Sequence, residues 1–198
     1  LPAPPSKSVS HRTIFAAALC KEPCKIEHIA LSEDILATIN AFRTLGKNIE
    51  IADDSSLLFS GELSSGNVQI DCGESGSTLR FIIPVLAALG MEAELKGHGK
   101  LPSRPLDPII DLLSQMGIEF SNSKGLPLRM KGRLSGTDFS IRADVSSQFI
   151  TGLLFAAPLL NQDCSIHLIG KRVSQPYLDI TIDVLRQFGI QIKETESG

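Results

Sequence analysis

The sequence predicts an α/β fold made of three copies of one supersecondary unit, and three observations carry that prediction. Helical spacing of apolar residues alternates with short period-2 segments along the whole 198-residue chain. Three amphipathic stretches stop at Gly46, Gly117 and Gly189, which stand 71 and 72 residues apart. Three nearly all-apolar helices recur in phase with them, each after a serine-rich turn.

The first apolar helix is "SVSHRTIFAAALC" from Ser8, followed by a strand in "CKIEHIA". The first amphipathic helix, "DILATINAFRTLGKNIEI" from Asp34, opens on an acid, stops at Gly46 and resumes as an alternating strand. An acid in the first turn suits the helix dipole, and a terminal glycine suits a left-handed cap. The second cycle runs through a strand "NVQIDC", the apolar "ESGSTLRFIIPVLAALG" and a strand "MEAELKG". It continues with "LDPIIDLLSQMGIEF" from Leu106 and a strand "LPLRMKG". The third has a strand "TDFSIRA", the helix "VSSQFITGLLFAAPLL", a strand "CSIHLIG" and "YLDITIDVLRQFGIQI" from Tyr177. Helices apolar all round are buried, so one layer of three helices lies inside a second layer of amphipathic ones. Breaks such as "GELSSGN" and "SNSKG" are loop-sized, which predicts a single domain of three units, about 1–66, 67–137 and 138–198.

Composition narrows the function. Hydrophobic residues make up 42% and charged residues 21%, ordinary values for a globular protein. A net charge of −3 argues against a general nucleic-acid or membrane surface. The apolar run "FIIPVLAALGM" is too short to span a bilayer, and no signal segment opens the chain, so a cytoplasmic place is expected. Cys20, Cys24, Cys72 and Cys164 lack the neighbours of a zinc site and read as free thiols; no metal and no cofactor is expected.

Any anion site must therefore be built locally, and the serine turns offer one. Helix N-termini present free amides that attract anions. The first turn, "PPSKSVSHR", supplies Lys7, Ser8 and Arg12; the second, "CGESGSTLR", supplies Gly73, Gly76, Ser77 or Thr78, and Arg80. The third, "DVSSQF", supplies Ser146, Ser147 and Gln148. Any one of these serines taken alone reads first as a plain cap. Arg12 and Arg80 lie one turn inside apolar helices, where an unpaired guanidinium is costly, so each is expected to meet an anion. Arg104 sits between prolines in "LPSRPLD", a restrained backbone suited to a bidentate clamp. "GKRVSQPYLD" brings Ser174 and Tyr177 to a helix start, with Lys171 and Arg172 read as surface charges. His11 reads as a packed, hydrogen-bonded ring. No carboxylate base and no nucleophile constellation stands out.

Together "PPSKSVSHR", "GESGSTLRF", "SRPLDPIIDLLSQMG", "SSQFITGLLFAAPLL" and "SQPYLDITIDVLRQFG" resemble the 5-enolpyruvylshikimate-3-phosphate (EPSP) synthase family over essentially the whole chain. The resemblance implies a two-domain fold, each domain having three βαβαββ units, of which this chain would be the N-terminal-half domain cut from a larger enzyme. The opening Leu-Pro, already inside the first motif and without a methionine, fits that expectation. It implies transfer of the enolpyruvyl group of phosphoenolpyruvate to the 5-hydroxyl of shikimate 3-phosphate, releasing phosphate, in the penultimate step before chorismate. Lys7 would lie between the substrates as a catalytic residue. Ser8, Arg12, Ser146, Ser147, Gln148, Ser174 and Tyr177 would hold shikimate 3-phosphate. Gly76, Arg104 and Gln148, with Lys7, would face phosphoenolpyruvate, and the C-terminal half would be the partner that supplies the base. Glu74 stands where many members have Asn, and Gln175 where Lys is frequent. Two other readings stay open: a non-catalytic anion-binding module, and an enolpyruvyl transferase acting on a UDP-sugar. The second would use a loop cysteine, and "GHGKLPSRP" has none.

Overall fold

The structure is a computed structural model and describes residues 4–53, 55–64, 66–122, 125–171, 173–195 and 198. Leu1, Pro2 and Arg172, noted above, lie outside the described residues. In chain order the elements are α1 (Lys7–Leu19), β1 (Cys24–Ile26), α2 (Glu33–Thr44), β2 (Asn48–Asp53), β3 (Ser56–Ser60), β4 (Asn67–Asp71) and α3 (Gly76–Leu89). They continue with β5 (Glu92–Lys96), α4 (Asp107–Gln115), β6 (Glu119–Ser121), β7 (Leu128–Lys131), β8 (Asp138–Arg142), α5 (Ser147–Ala156), β9 (Ser165–Ile169) and α6 (Gln175–Gln187).

Helices α1, α3 and α5 form the centre. Each gives one phenylalanine to a shared cluster: Phe15 lies 5.3 Å from Phe81 and 5.2 Å from Phe155, and Phe81 lies 5.8 Å from Phe155. Phe42 of α2 closes edge-on against Phe15 at 4.8 Å. The outer helices lean on this centre: α2 touches α1 and α3, α6 touches α1 and α5, and α4 touches α3. Helices α3 and α5 cross closely for a local reason. Pro84 has no N–H to give Arg80 O, and Gly152 packs against that carbonyl, where a Cβ would come within 2.6 Å.

Gly46, Gly117 and Gly189 end the outer helices in one geometry. Their φ values are 92°, 91° and 82°, and each donates to the carbonyl three residues back. The next residue in each case, Lys47, Ile118 or Ile190, donates to the carbonyl five residues back, closing the same Schellman cap three times.

Three separate sheets surround the helices, not one continuous sheet. The central one has order β4-β5-β7-β6, with β4 and β5 parallel and the other pairs antiparallel. The first, β1-β3-β2, repeats the antiparallel part, and the third, β8-β9, repeats the parallel pair. The full βαβαββ order thus appears only in the middle of the chain, among the described residues. Three local expectations are corrected. Ile190–Ile192 alternates but forms no strand, having no ladder partner. Helix α6 begins at Gln175, so no acid stands in its first turn. Strand β3, absent from the sequence reading, lies between β1 and β2.

Candidate anion site

The N-terminal ends of α1, α3, α5 and α6 carry the predicted site residues. Caps fix two of them: Ser75 accepts from the Thr78 amide, and Ser146 accepts from the Gln148 amide. Ser6, which begins α1, makes no such bond, and Ser174 begins α6 in the left-handed region at φ 59°.

Arg12 is buried, 3% exposed, and pairs with no carboxylate among the described residues. Its Nε donates to Thr181 Oγ1 at 2.7 Å and its two terminal nitrogens donate to Ser8 O at 2.9 Å and Thr151 Oγ1 at 3.5 Å. The guanidinium also lies over Phe81 at 5.3 Å and over Tyr177 at 5.7 Å. Burial lowers its pKa to about 10, which leaves it charged at neutral pH. Its partners among the described residues are therefore neutral oxygens and ring faces.

A second cradle forms where α3 and α5 meet. Arg80 donates to Gln148 Oε1 at 2.7 Å and to Pro105 O at 3.3 Å, and lies 5.3 Å from the Phe149 ring. Gln148 in turn donates to Ser77 Oγ at 2.9 Å. Arg80 Nε is buried without a partner among the described residues. Arg104 approaches from the turn after Leu101–Ser103, and a Cβ on Gly76 would stand 2.5 Å from its Nη1 and 3.3 Å from that of Arg80. The glycine lets both guanidiniums come this close. Burial, then the charge of Arg104, lowers the Arg80 pKa. No carboxylate pairs with either arginine among the described residues. Two like charges at a helix N-terminus, without a counter-ion among the described residues, suit an anion.

Lys7 differs, since its ammonium pairs with the Asp34 carboxylate at the exposed rim. Asp34 is the residue that the sequence reading left out: it registered only as a first-turn acid of α2, although a carboxylate beside Lys7 is chemically significant. His11 is buried, with Nδ1 2.9 Å from Thr38 Oγ1 and Nε2 without a partner among the described residues. Its pKa falls to about 4, chiefly from burial, so the ring is neutral at pH 7.

The structure thus joins Ser8, Arg12 and Tyr177 in one group, and Gly76, Arg80, Arg104 and Gln148 in another. Phe81, next to Arg80, lies under Arg12. Ser146, Ser147 and Ser174 reach the same end of the helices without side-chain contact to these cations, among the described residues. Glu74 packs on Gly99, and Gln175 donates to Asp179 at 2.7 Å. A concavity of about 700 Å³ lies elsewhere, on the outer face of the central sheet. Both of its cations are paired, Arg129 with Glu94 and Lys131 with Glu119. No helix among the described residues is long and apolar enough to cross a membrane.

Comparison with known proteins gives a consistent answer. The family model for EPSP synthase (3-phosphoshikimate 1-carboxyvinyltransferase) matches residues 1–198. The 3-phosphoshikimate 1-carboxyvinyltransferase of Clostridium kluyveri is 44% identical over 189 residues, covering 94% of this chain and 44% of that protein. That of Clostridium novyi is 41% identical, with 96% and 46% covered. A solved EPSP synthase from Acinetobacter baumannii superposes with a TM-score of 0.82 at 25% identity, over 100% of this chain and 45% of that one. The chain spans about half the length of the curated relatives it matches.

Proposed function

This chain belongs to the EPSP synthase family, and on that premise we propose that it carries the shikimate 3-phosphate half-site of an enolpyruvyl transferase. The whole enzyme would move the enolpyruvyl group of phosphoenolpyruvate to the 5-hydroxyl of shikimate 3-phosphate, and would work in the cytoplasm. The units 1–66, 67–137 and 138–198 would form one domain, opposed across a cleft by the other half of the same enzyme.

The observation that carries this reading is the pair of cation groups without internal counter-ions. Arg12, Ser8 and Tyr177, with Ser146, Ser147 and Ser174, suit a phosphorylated polyol. The α3 N-terminus with Arg80, Arg104 and Gln148 suits the phosphate and carboxylate of phosphoenolpyruvate. Lys7 stands between α1 and the solvent, where an ammonium can stabilise charge or pass a proton. Its pairing with Asp34 supplies a carboxylate in this half, yet the walls that would exclude water are not in this chain.

Titration by calorimetry tests the reading. Shikimate 3-phosphate is expected to bind this chain at least tenfold more tightly than inorganic phosphate. Equal affinities would favour the generic anion-binding module.

A further inference from the structure

Two helices meet at Lys7 in a two-rung ladder. Lys7 and His11 stand one turn apart on α1, and Asp34 and Thr38 stand one turn apart on α2. The outer rung is the Lys7–Asp34 ion pair, with side chains 55% and 28% exposed. The inner rung is His11 Nδ1 to Thr38 Oγ1, and it is buried. From Thr38 a string of hydroxyls continues inward: Thr38 Oγ1 lies 2.7 Å from Thr78 Oγ1, which lies 2.7 Å from Ser75 Oγ, the cap of α3. Thr38 also donates to Asp34 O at 3.2 Å, fixing the turn that presents the Asp34 carboxylate.

The two rungs are unequal. An exposed ion pair between two freely moving side chains contributes little, and more when one partner is already held in place. Buried hydroxyls must be satisfied and have few geometries in which that is possible, so the inner rung sets the register of α2 against α1 and α3.

The same arrangement occurs once more, which argues against accident. Thr181 stands eight residues before Gly189, as Thr38 stands eight before Gly46. Thr181 accepts from Arg12, the neighbour of His11, lies 3.1 Å from Thr151 Oγ1, and donates to Tyr177 O at 2.8 Å. Asp34 and Tyr177 thus occupy equivalent places, each held one turn ahead of an anchored threonine. The central unit has the apolar Ile109 at this position and no such string.

We propose that Thr38 is a positioning residue for Lys7, acting through the His11–Thr38–Thr78 string to hold Asp34, and with it the ammonium, at the mouth of the site. The consequence for ligand binding rests on the proposed role of Lys7; the positioning itself does not.

The test therefore has two arms. In the first, the full chain is treated with N-hydroxysuccinimidyl acetate and acetylation is mapped by mass spectrometry, with exposed Lys21 and Lys193 as references. Lys7 labelling is expected to rise several-fold in Thr38→Val and in Asp34→Asn, and to stay at the parent rate in Thr38→Ser. In the second, Thr38→Val is expected to weaken shikimate 3-phosphate binding about tenfold, Thr38→Ser to restore it, and Thr38→Val to have no further effect in a Lys7→Met background. Parent-like Lys7 labelling in folded Thr38→Val, or no rise in Asp34→Asn, overturns the proposal. So does an equal loss of affinity with and without Lys7. Should Thr38→Val not fold by circular dichroism, His11→Leu removes the other end of the rung and is read in its place. If the parent chain fails to bind shikimate 3-phosphate, the function assigned above falls, and the labelling arm still decides the role of Thr38.

Discussion

Acid should unfold this protein through one histidine. His11 is 2% exposed and its pKa drops from 6.5 to about 4, first because burial penalises the charged ring. Nearby Asp34 opposes that shift, and Lys7 and Arg12 add to it. Between those two pH values the unfolded chain takes up a proton that the folded chain refuses, so stability rises with pH across the window. Moving from pH 7 to pH 4 should therefore remove roughly 3 kcal/mol through this one group, a substantial part of a typical domain's stability. Carboxylates titrate over the same range, so the wild-type curve alone cannot isolate the effect. His11→Asn keeps an amide near Thr38 and does not titrate. Urea unfolding at half-unit pH steps, followed by circular dichroism, should show the two proteins diverging below pH 6.5 by about that amount. Parallel curves would refute the reasoning, because a histidine held neutral by burial must destabilise the fold when the unfolded state protonates.

Four further outcomes follow from the same geometry. Gly76→Ala sets a Cβ 2.5 Å from Arg104 Nη1, the movable end of a flexible side chain; calorimetry should show phosphate binding weakened about tenfold, with the thermal midpoint nearly unchanged. Gly152→Ala puts a Cβ 2.6 Å from Arg80 O and 3.0 Å from the Pro84 ring. Neither can step aside, so urea unfolding should register a loss of about 1–3 kcal/mol. Arg12→Ala should weaken shikimate 3-phosphate binding about 10- to 150-fold, the value of a charge-assisted hydrogen bond, and an unchanged affinity in folded protein would remove Arg12 from the site. Gln148→Glu offers Arg80 a carboxylate of the same shape; it should abolish phosphate binding while raising the thermal midpoint.

Much of the fold was legible because periodicity and punctuation are local. The glycine stops needed a left-handed residue, and no other residue type supplies one as cheaply. The apolar helices announced their burial through composition alone. Strand pairing is not local, and there the reading failed in both directions. "SLLFS" shows no clean alternation because the apolar Leu58 stands exposed between buried Leu57 and Phe59, while Ile190–Ile192 alternates well and has no ladder partner among the described residues. The cations of the site were legible as residues out of place in apolar helices. Their surroundings were not. Asp34 looked like a dipole acid, and Thr38 and Thr181 looked like ordinary mid-helix residues, because their roles depend on a helix 27 or more positions away. One signal was available: a threonine eight residues before the stopping glycine in two units out of three.

The expectation that an anion would meet Arg12 and Arg80 rested on cost, and the cost is real. Within the chain, hydrogen bonds are supplied to both without neutralisation. This chain does not lack acids; Glu94 alone pairs with Lys96 and Arg129 on the outer sheet. At the site, amide, hydroxyl and carbonyl oxygens take the guanidinium protons, and aromatic faces take the positive charge. Gln148 is the clearest case: its oxygen accepts from Arg80 while its nitrogen donates to Ser77, so it orders a cation and leaves the charge intact. A glutamate would satisfy the same protons and cancel the field. Burial lowers the pKa of both arginines, the cost of holding a cation away from water. A partly dry cation without a counter-ion attracts an incoming anion far more strongly than a solvated one. The choice of neutral partners is therefore what separates a binding site from a structural salt bridge, and it can be recognised only once the helices are in place.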